Sequence, residues 1–158
     1  MTLREKTCCF TGHRYLPKTM VPVLQLHLKQ QIEALAIRGF TAFLCGGALG
    51  LDLLAAEAVL ALRGSLPEIK LVMILPCPEQ AERWQAAEQA RYHAVLRQAD
   101  EVLYTSDSYT PGCMQKRNRY MVDRSSACLF YITKMQSGTA MTLKYAIAQD
   151  LELINLLY

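Results

Sequence analysis

The sequence lacks long apolar runs and paired-cysteine motifs. None of its hydrophobic stretches approaches the roughly 18 residues of a membrane-spanning helix. Residues 1–6, which include the charged Arg4, Glu5 and Lys6, lead directly into a short apolar segment, which is not the pattern of a signal peptide. The six cysteines form no C-x-x-C pair and stand mostly within apolar runs, which is typical of buried, reduced thiols rather than of disulfides or a metal site. These absences predict a cytoplasmic protein with no membrane anchor and no bound metal.

A strong charge bias is also missing. Seventeen basic and fourteen acidic side chains leave a formal net charge of +3, which does not predict nucleic-acid binding unless the basic residues cluster. The 158 residues are 52% hydrophobic and 20% charged, as in an ordinary globular protein. The chain shows no internal repeat, linker or low-complexity segment. We therefore expect a single domain over residues 1–158.

What is present is a regular alternation of short apolar segments with longer helical patterns. Apolar residues recur at three- and four-residue spacing over about 18–38, which predicts a helix. Segment 70–75 is continuously apolar, as in a parallel strand covered on both faces. Strands are predicted at 7–11, 40–45, 70–75, 101–105, 127–132 and 151–156, with helices at 18–38, 51–62, 79–98, 114–124 and 138–149. Alternation of this kind pairs strands in parallel, so the expected fold is α/β: a three-layer Rossmann-like, doubly wound, mostly parallel sheet of about six strands.

A glycine-rich turn, FLCGGALGLD at 43–52, joins the second predicted strand to the following helix. Such a turn leaves backbone N–H groups unpaired at the positive end of the helix dipole, where a phosphate binds. Gly46, Gly47 and Gly50 carry no side chain that would keep the phosphate away. The segment is neither a Walker loop nor a G-x-G-x-x-G fingerprint. A phosphate site and a plain strand–helix connection are therefore equally well supported at this point.

Ligands of doubly wound sheets lie beyond the carboxyl ends of the strands, and the first strand ends in Gly12, His13 and Arg14. The Arg14 guanidinium matches a phosphate, although it could equally pair with a surface carboxylate. His13 titrates near neutral pH and is a candidate catalytic group, or else a simple hydrogen-bonding residue. Asp52 in the next helix either caps that helix or contacts a ribose hydroxyl or a catalytic water.

Two later segments add candidates at the same edge. Arg117 and Asn118 belong to the strongest basic cluster of the chain, which either turns one side toward a ligand or is a solvated helix face. Ser137, Gly138 and Thr139 open the last predicted helix and offer hydroxyl and N–H groups to a second anion, or form a plain N-cap.

Taken in order, these segments resemble those of one superfamily. The matching stretches are TGHR at 11–14, CGGALGLD at 45–52, RNR at 117–119 and SGT at 137–139. They are similar to the SLOG superfamily, which unites the DNA-processing protein A (Smf) family with the cytokinin-activating LOG phosphoribohydrolases. Within it, the chain looks most like the YpsA-like branch over nearly its whole length. The resemblance implies a Rossmann-like domain that binds a nucleotide or a nucleotide derivative at these loops.

The resemblance does not extend to the LOG reaction. LOG enzymes carry P-G-G-x-G-T-x-x-E, whose glutamate takes part in N-glycosidic hydrolysis. The corresponding segment here is MQSGTAMT at 135–142, with Thr142 in the place of the glutamate. A hydroxyl cannot act as a carboxylate base near neutral pH, which argues against that chemistry.

The leading expectation is a sensor or regulatory domain for a small nucleotide-like ligand, of the ADP-ribose type among others. The glycine turn would hold phosphate, Arg14 and Arg117 would neutralise it, and Asp52 would orient the sugar. One alternative is a hydrolase acting on a nucleotide N-glycosidic or phosphate bond, with Asp52 or His13 activating water. The other is single-stranded nucleic-acid binding through the basic helix with Tyr109 and Tyr120, which is less favoured. Because the superfamily commonly associates, a homodimer is also expected.

Overall fold

Helices and strands alternate along the computed structural model, which describes residues 1–157. A 3₁₀ turn at Arg4–Lys6 precedes the first strand. The strands are β1 (Thr7–Gly12), β2 (Ala42–Cys45), β3 (Lys70–Leu75), β4 (Glu101–Tyr104), β5 (Ala127–Tyr131) and β6 (Glu152–Asn155). The helices are α1 (Val21–Ile37), α2 (Leu51–Leu62), α3 (Ala86–Gln98), α4 (Cys113–Asp123) and α5 (Gly138–Ala148). None of these helices has the length and the apolarity that a bilayer span requires.

All six strands pair in parallel in the order β4-β3-β2-β1-β5-β6. The chain builds outward from β1 to β4, then returns through α4 to place β5 on the other side of β1. This reversal is the topological switch point of a doubly wound sheet, and ligands of such sheets bind beyond the carboxyl ends of the strands there. The predicted α/β Rossmann-like fold is confirmed.

The sheet separates two cores that follow the pleat of the strands. Phe43 and Cys45 face a larger core formed with α1, α2 and α3, whereas Leu44 between them faces a smaller core formed with α4 and α5. Phe10 and Phe43 stack in the larger core with ring centroids 6.1 Å apart. Because successive residues of a strand point to opposite faces, a strand covered on both sides must be apolar throughout. This explains the unbroken apolar runs of the sequence.

The third helix begins later than its sequence pattern predicts. Residues 79–84 form turns, and α3 starts only at Ala86. The Gln85 N–H donates to Glu88 Oε1 at 3.0 Å and so caps the helix at this point. The Gln89 side chain donates to the carbonyls of Ala81 and Glu82 at 2.9 and 3.1 Å. These side-chain hydrogen bonds satisfy backbone carbonyls of the preceding turns, so this segment does not need to be helical. Apolar periodicity in the sequence does not indicate such bonds.

Gly50 lets the loop after β1 lie directly on the glycine turn. Its φ is +78°, and a Cβ at this position would stand 2.3 Å from the carbonyl oxygen of His13 and 2.4 Å from that of Arg14. The N–H of Leu51 donates to the His13 carbonyl at 3.1 Å. The two loops therefore form one packed unit at the carboxyl edge of the sheet.

We expect Gly50→Ala to lower the free energy of unfolding by about 2–4 kcal/mol, because it combines an unfavourable φ with overlap against two carbonyl oxygens. Urea denaturation measures this change. Gly64→Ala is the matched control, since a Cβ there meets nothing within 4 Å, and its effect should stay within about 1 kcal/mol. Equal unfolding midpoints for the two variants would contradict this account of the turn.

Candidate functional site

A cavity of about 410 Å³ opens at the carboxyl ends of β1 and β5. Its walls are the loop after β1, the first turns of α4, the loop after β5 and the start of α5, with Ala48 and Asp52 from the glycine turn. The structure thus brings together nine of the residues selected from the sequence. They are Gly12, His13, Arg14, Asp52, Arg117, Asn118, Ser137, Gly138 and Thr139.

Two cations stand at this cavity with no acidic partner of their own. Arg14 and Lys134 are exposed and line the cavity, and neither has a carboxylate within 4.0 Å among residues 1–157. The alternative reading of Arg14, a surface arginine paired with a carboxylate, therefore does not hold in the described part of the chain. Lys134 was missed by the sequence reasoning, which selected the start of α5 but not the loop before it. Lys134 would have been selected if every cationic residue in the loops after the predicted strands had been considered.

The start of α5 is capped by its own side chain and still presents free donors. Ser137 Oγ accepts the N–H of Ala140 at 3.1 Å and donates to the Lys134 carbonyl at 2.8 Å. This confirms the N-cap interpretation of Ser137. The N–H groups of Gly138 and Thr139 donate to no other described residue. They point along the positive end of the helix dipole, where an anion is stabilised.

Asp52 supplies a buried carboxylate to the cavity wall. It is the second residue of α2, and its Oδ2 accepts the N–H of Ala48 at 3.2 Å. Because Ala48 precedes the helix, this bond holds the glycine turn and does not cap α2. Only 7% of the residue is exposed. Burial raises the pKa of Asp52, and the charges of Arg117 and Arg14, with the Ala48 hydrogen bond, partly offset that effect. A carboxylate in this position accepts hydrogen bonds from hydroxyl or amine groups and repels phosphate.

Arg117 points inward and contacts the glycine turn. Its guanidinium donates to the carbonyl oxygen of Gly46, its Nε donates to Asn118 Oδ1 at 2.8 Å, and the residue is 3% exposed. Burial lowers the pKa of Arg117, and the Asp52 charge opposes this; a guanidinium nevertheless keeps its proton in a protein. The interpretation of this helix as wholly solvated is wrong at Arg117. Its charge is used mainly to compensate Asp52 and the Gly46 carbonyl.

At the three glycines of the turn, the space that a side chain would occupy is filled by other groups of the protein and not by a phosphate site. A Cβ on Gly46 would stand 2.6 Å from Arg117 Nη1 and 2.9 Å from Asp52 Oδ2, and one on Gly47 would stand 2.8 Å from the Leu75 side chain. Gly50 admits the backbone of the loop after β1, and none of the three glycines lines the cavity. The expectation that Gly46, Gly47 and Gly50 cradle a phosphate is corrected. The glycine-rich sequence indicates that other groups approach the backbone closely here. It does not show that these groups include Arg117, Leu75 and the loop after β1, which are distant in the chain.

His13 holds the loop after β5 in place. Its Nε2 accepts the N–H groups of Thr133 and Lys134 at 2.8 and 3.2 Å, and its Nδ1 lies 3.4 Å from Thr139 Oγ1. Burial lowers the pKa of His13, and the Lys134 charge lowers it further. The neutral imidazole with its proton on Nδ1 fits these partners. Because both ring nitrogens are engaged, His13 has no free lone pair with which to activate water.

The parallel sheet and its switch point define a Rossmann-like domain with a cationic cavity beside the switch point. Residues 13–154 match the YspA SLOG family, and the chain belongs to that family. It is 36% identical over 117 residues to a UPF0398 protein of Halalkalibacterium halodurans, a match covering 70% of this chain and 60% of that one. It is 34% identical over 116 residues to the SPbeta prophage-derived protein YoqJ of Bacillus subtilis, covering 66% of this chain and 68% of the relative. The chain thus spans about two thirds of the length of these relatives.

A solved structure shares the fold at low sequence identity. DNA processing protein A from Helicobacter pylori, which has a single-stranded DNA binding mode, matches with a TM-score of 0.68 and 17% identity. The match covers 94% of this chain and 64% of that chain. The likeness shows that the two chains have the same architecture.

We expect the stabilising contribution of His13 to depend on pH. Since its pKa is lower in the folded than in the unfolded chain, the contribution is complete above about pH 6.5 and is lost as the pH falls through the folded-state pKa. His13→Ala should therefore destabilise the protein more at about pH 7.5 than at about pH 5. Urea denaturation at both pH values measures the difference. His93→Ala, which removes an exposed imidazole from α3, is the control; a pH-independent effect of His13→Ala would contradict the assignment.

Proposed function

We propose that this domain binds a nucleotide or a nucleotide-derived ligand and acts as a sensor or regulatory module. One observation carries the proposal. Arg14, Lys134 and the free N–H groups at the start of α5 converge on a single cavity that also holds the buried carboxylate of Asp52. Cations and helix N–H groups bind phosphate, and a carboxylate binds sugar hydroxyls, so the cavity carries donors for one part of a nucleotide and an acceptor for another.

These groups set the orientation of the ligand. A phosphate is placed between Arg14, Lys134 and the N-terminus of α5, away from Asp52, which would repel it. The ribose then lies toward Asp52, with its hydroxyls donating to the carboxylate. Tyr15 stands at the cavity with 89% of its surface exposed, and its ring offers a face on which a base stacks. The volume of about 410 Å³ lies within the usual range for a small-ligand pocket.

Two positions considered for hydrolysis, Thr142 in the LOG pattern and His13 as a candidate base, make other contacts, which favours binding over turnover. Thr142 stands where that chemistry needs a glutamate, is 5% exposed, and donates its hydroxyl to the Gly138 carbonyl at 3.0 Å. His13 has both ring nitrogens engaged. Neither residue can act as a base.

Isothermal titration against AMP, NAD and ADP-ribose tests the proposal. We expect at least one ligand to bind, and Arg14→Ala and Lys134→Ala each to weaken binding roughly tenfold to a hundredfold, because each removes a charge-assisted hydrogen bond. Lys29→Ala, which removes an exposed cation from α1, should leave binding unchanged. The proposal fails if no ligand of the panel gives heat, or if Lys29→Ala weakens binding as much as the two cavity variants.

A hydrolase acting on an N-glycosidic or phosphate bond is the second candidate, and Asp52 favours it. A buried carboxylate with a raised pKa at the wall of a cavity is a common form of catalytic acid or base. In this function Asp52, and not His13, would activate water.

Incubation with the same nucleotides, followed by chromatography of released base and ribose phosphate, separates the two functions. A sensor domain binds without turnover. If turnover occurs, Asp52→Asn should lower its rate by about a hundredfold or more, because the amide cannot take a proton. Circular dichroism checks that the variant is folded, and a rate equal to that of the wild type would exclude Asp52 as the base.

Single-stranded nucleic-acid binding is less well supported. The Helicobacter pylori neighbour binds single-stranded DNA, but here two cations of the basic cluster contact aromatic rings of the same chain. Arg124 lies 3.4 Å from the centroid of the Tyr120 ring, and Arg119 lies 5.1 Å from that of Tyr145. Tyr109, at 65% exposed, is left as the accessible aromatic of the predicted pair. A gel shift with steep salt dependence would favour this function over the others.

A further inference from the structure

A second cavity meets the first one at the loop after β1. It has a volume of about 530 Å³ and lies among that loop, the glycine turn and the N-terminal halves of α1, α2 and α3. We call it the adjoining cavity. Arg14 and Tyr15 line both cavities, so the two spaces are continuous at these side chains. A molecule bound to Arg14 in the first cavity therefore reaches the adjoining cavity directly.

The floor of the adjoining cavity is apolar. Leu16, Val21 and Leu49 line it and are only partly buried against the larger core, and the buried Leu54 completes it. A flat ring that covers these half-exposed side chains removes apolar surface from water, which is favourable. The exposed Tyr15 ring beside them adds an aromatic face for stacking. These surfaces suit a nucleobase better than a phosphate or a sugar.

One carboxylate of the adjoining cavity is left for a ligand. Arg91 donates to both oxygens of Glu57 at 2.9 and 2.5 Å, so these two charges compensate each other. Glu88 has no ion-pair partner within 4.0 Å in residues 1–157. Its Oε1 accepts the N–H of Gln85 at 3.0 Å, and its Oε2 accepts no hydrogen bond within the same residues. Glu88 therefore repels phosphate and can accept a hydrogen bond from a ligand N–H.

We propose that the adjoining cavity is the base subsite of the ligand, and that Glu88 makes it specific for adenine. This inference rests on the proposed function, which places a phosphate at Arg14 and a ribose toward Asp52. From there the base continues over the Tyr15 ring onto the apolar floor. Its exocyclic amine donates to Glu88 Oε2, and the amide of Gln25, which is exposed on α1 and lines the same cavity, donates to a ring nitrogen.

The single free oxygen of Glu88 distinguishes adenine from the other purines. Guanine presents two adjacent N–H donors, which require a carboxylate with both oxygens available, whereas the Gln85 N–H already occupies one oxygen here. Hypoxanthine presents a carbonyl oxygen in place of the amine, and that oxygen would face the carboxylate without a proton between them. Adenine alone among the three offers one donor beside a ring-nitrogen acceptor, which matches Glu88 and Gln25.

Isothermal titration with AMP, IMP and GMP tests the specificity. We expect AMP to bind about tenfold or more tightly than IMP or GMP, because each of the latter leaves a polar group without its partner. Glu88→Gln keeps an oxygen for the Gln85 N–H but presents an amide N–H₂ to the base, so it should reverse the preference between AMP and IMP. A merely structural role of Glu88 would not reverse it. Glu82→Gln, at an exposed position that lines neither cavity, should leave the preference unchanged.

A second variant tests where the base lies. Gln25→Trp fills the adjoining cavity and should weaken AMP by roughly tenfold or more, whereas ribose 5-phosphate, which has no base, should bind as it does to the wild type. Gln30→Trp, at an exposed position of the same helix outside both cavities, is the matched control and should change neither affinity.

The outcomes separate this inference from the proposed function. If AMP binds and Arg14→Ala weakens it, but IMP or GMP binds as tightly as AMP, or the Glu88→Gln and Gln25→Trp variants bind as the wild type does, the base subsite is refuted and the proposed function stands. If neither the nucleotides nor ribose 5-phosphate bind, both proposals fail together.

Discussion

The buried guanidinium of Arg117 is the contact on which the site depends. It joins α4 on one face of the sheet to the glycine turn after β2, through the Gly46 carbonyl, and lies beside the carboxylate of Asp52. Burying an isolated charge costs several kcal/mol, of order 5, unless other charges and hydrogen bonds compensate it. The two groups make no ion pair within 4.0 Å among the described residues, but each charge offsets part of the cost of burying the other. A Cβ on Gly46 would stand 2.6 Å from Arg117 Nη1 and 2.9 Å from Asp52 Oδ2, so both side chains need the space that glycine leaves.

The polar residues of the cavity fall into two groups. Arg117 and His13 are engaged by other parts of the chain and shape the walls. Arg14 and Lys134 remain free of carboxylate partners in the described residues and can contact a ligand. Under the proposed function the site is pre-organised: the buried cation holds the walls, the exposed cations contact the ligand, and the walls need not rearrange when an anion enters.

The same chain path that creates the cavity also leaves the sheet unevenly covered. The return from β4 to β5 carries α4 across the second face, where it contacts β3, and α5 packs beside α4. Three helices thus cover one face and two cover the other, and Leu103 of the edge strand β4 stays 40% exposed. The cavity lies beside the point where the strand order reverses.

The sequence pattern was sufficient to predict the architecture, because apolar runs and helical periodicity are local properties that reflect burial. It also located the cavity, since carboxyl ends of parallel strands meet at one edge, and it selected Arg14, Asp52 and Thr139 among the residues there. It could not assign their roles. These roles depend on groups that are far apart in the chain. Arg117 contacts Gly46, His13 accepts a hydrogen bond from Thr133, and Gly50 packs against the loop after β1. Only the tertiary structure brings those groups together, and a hydrogen bond requires both partners in place.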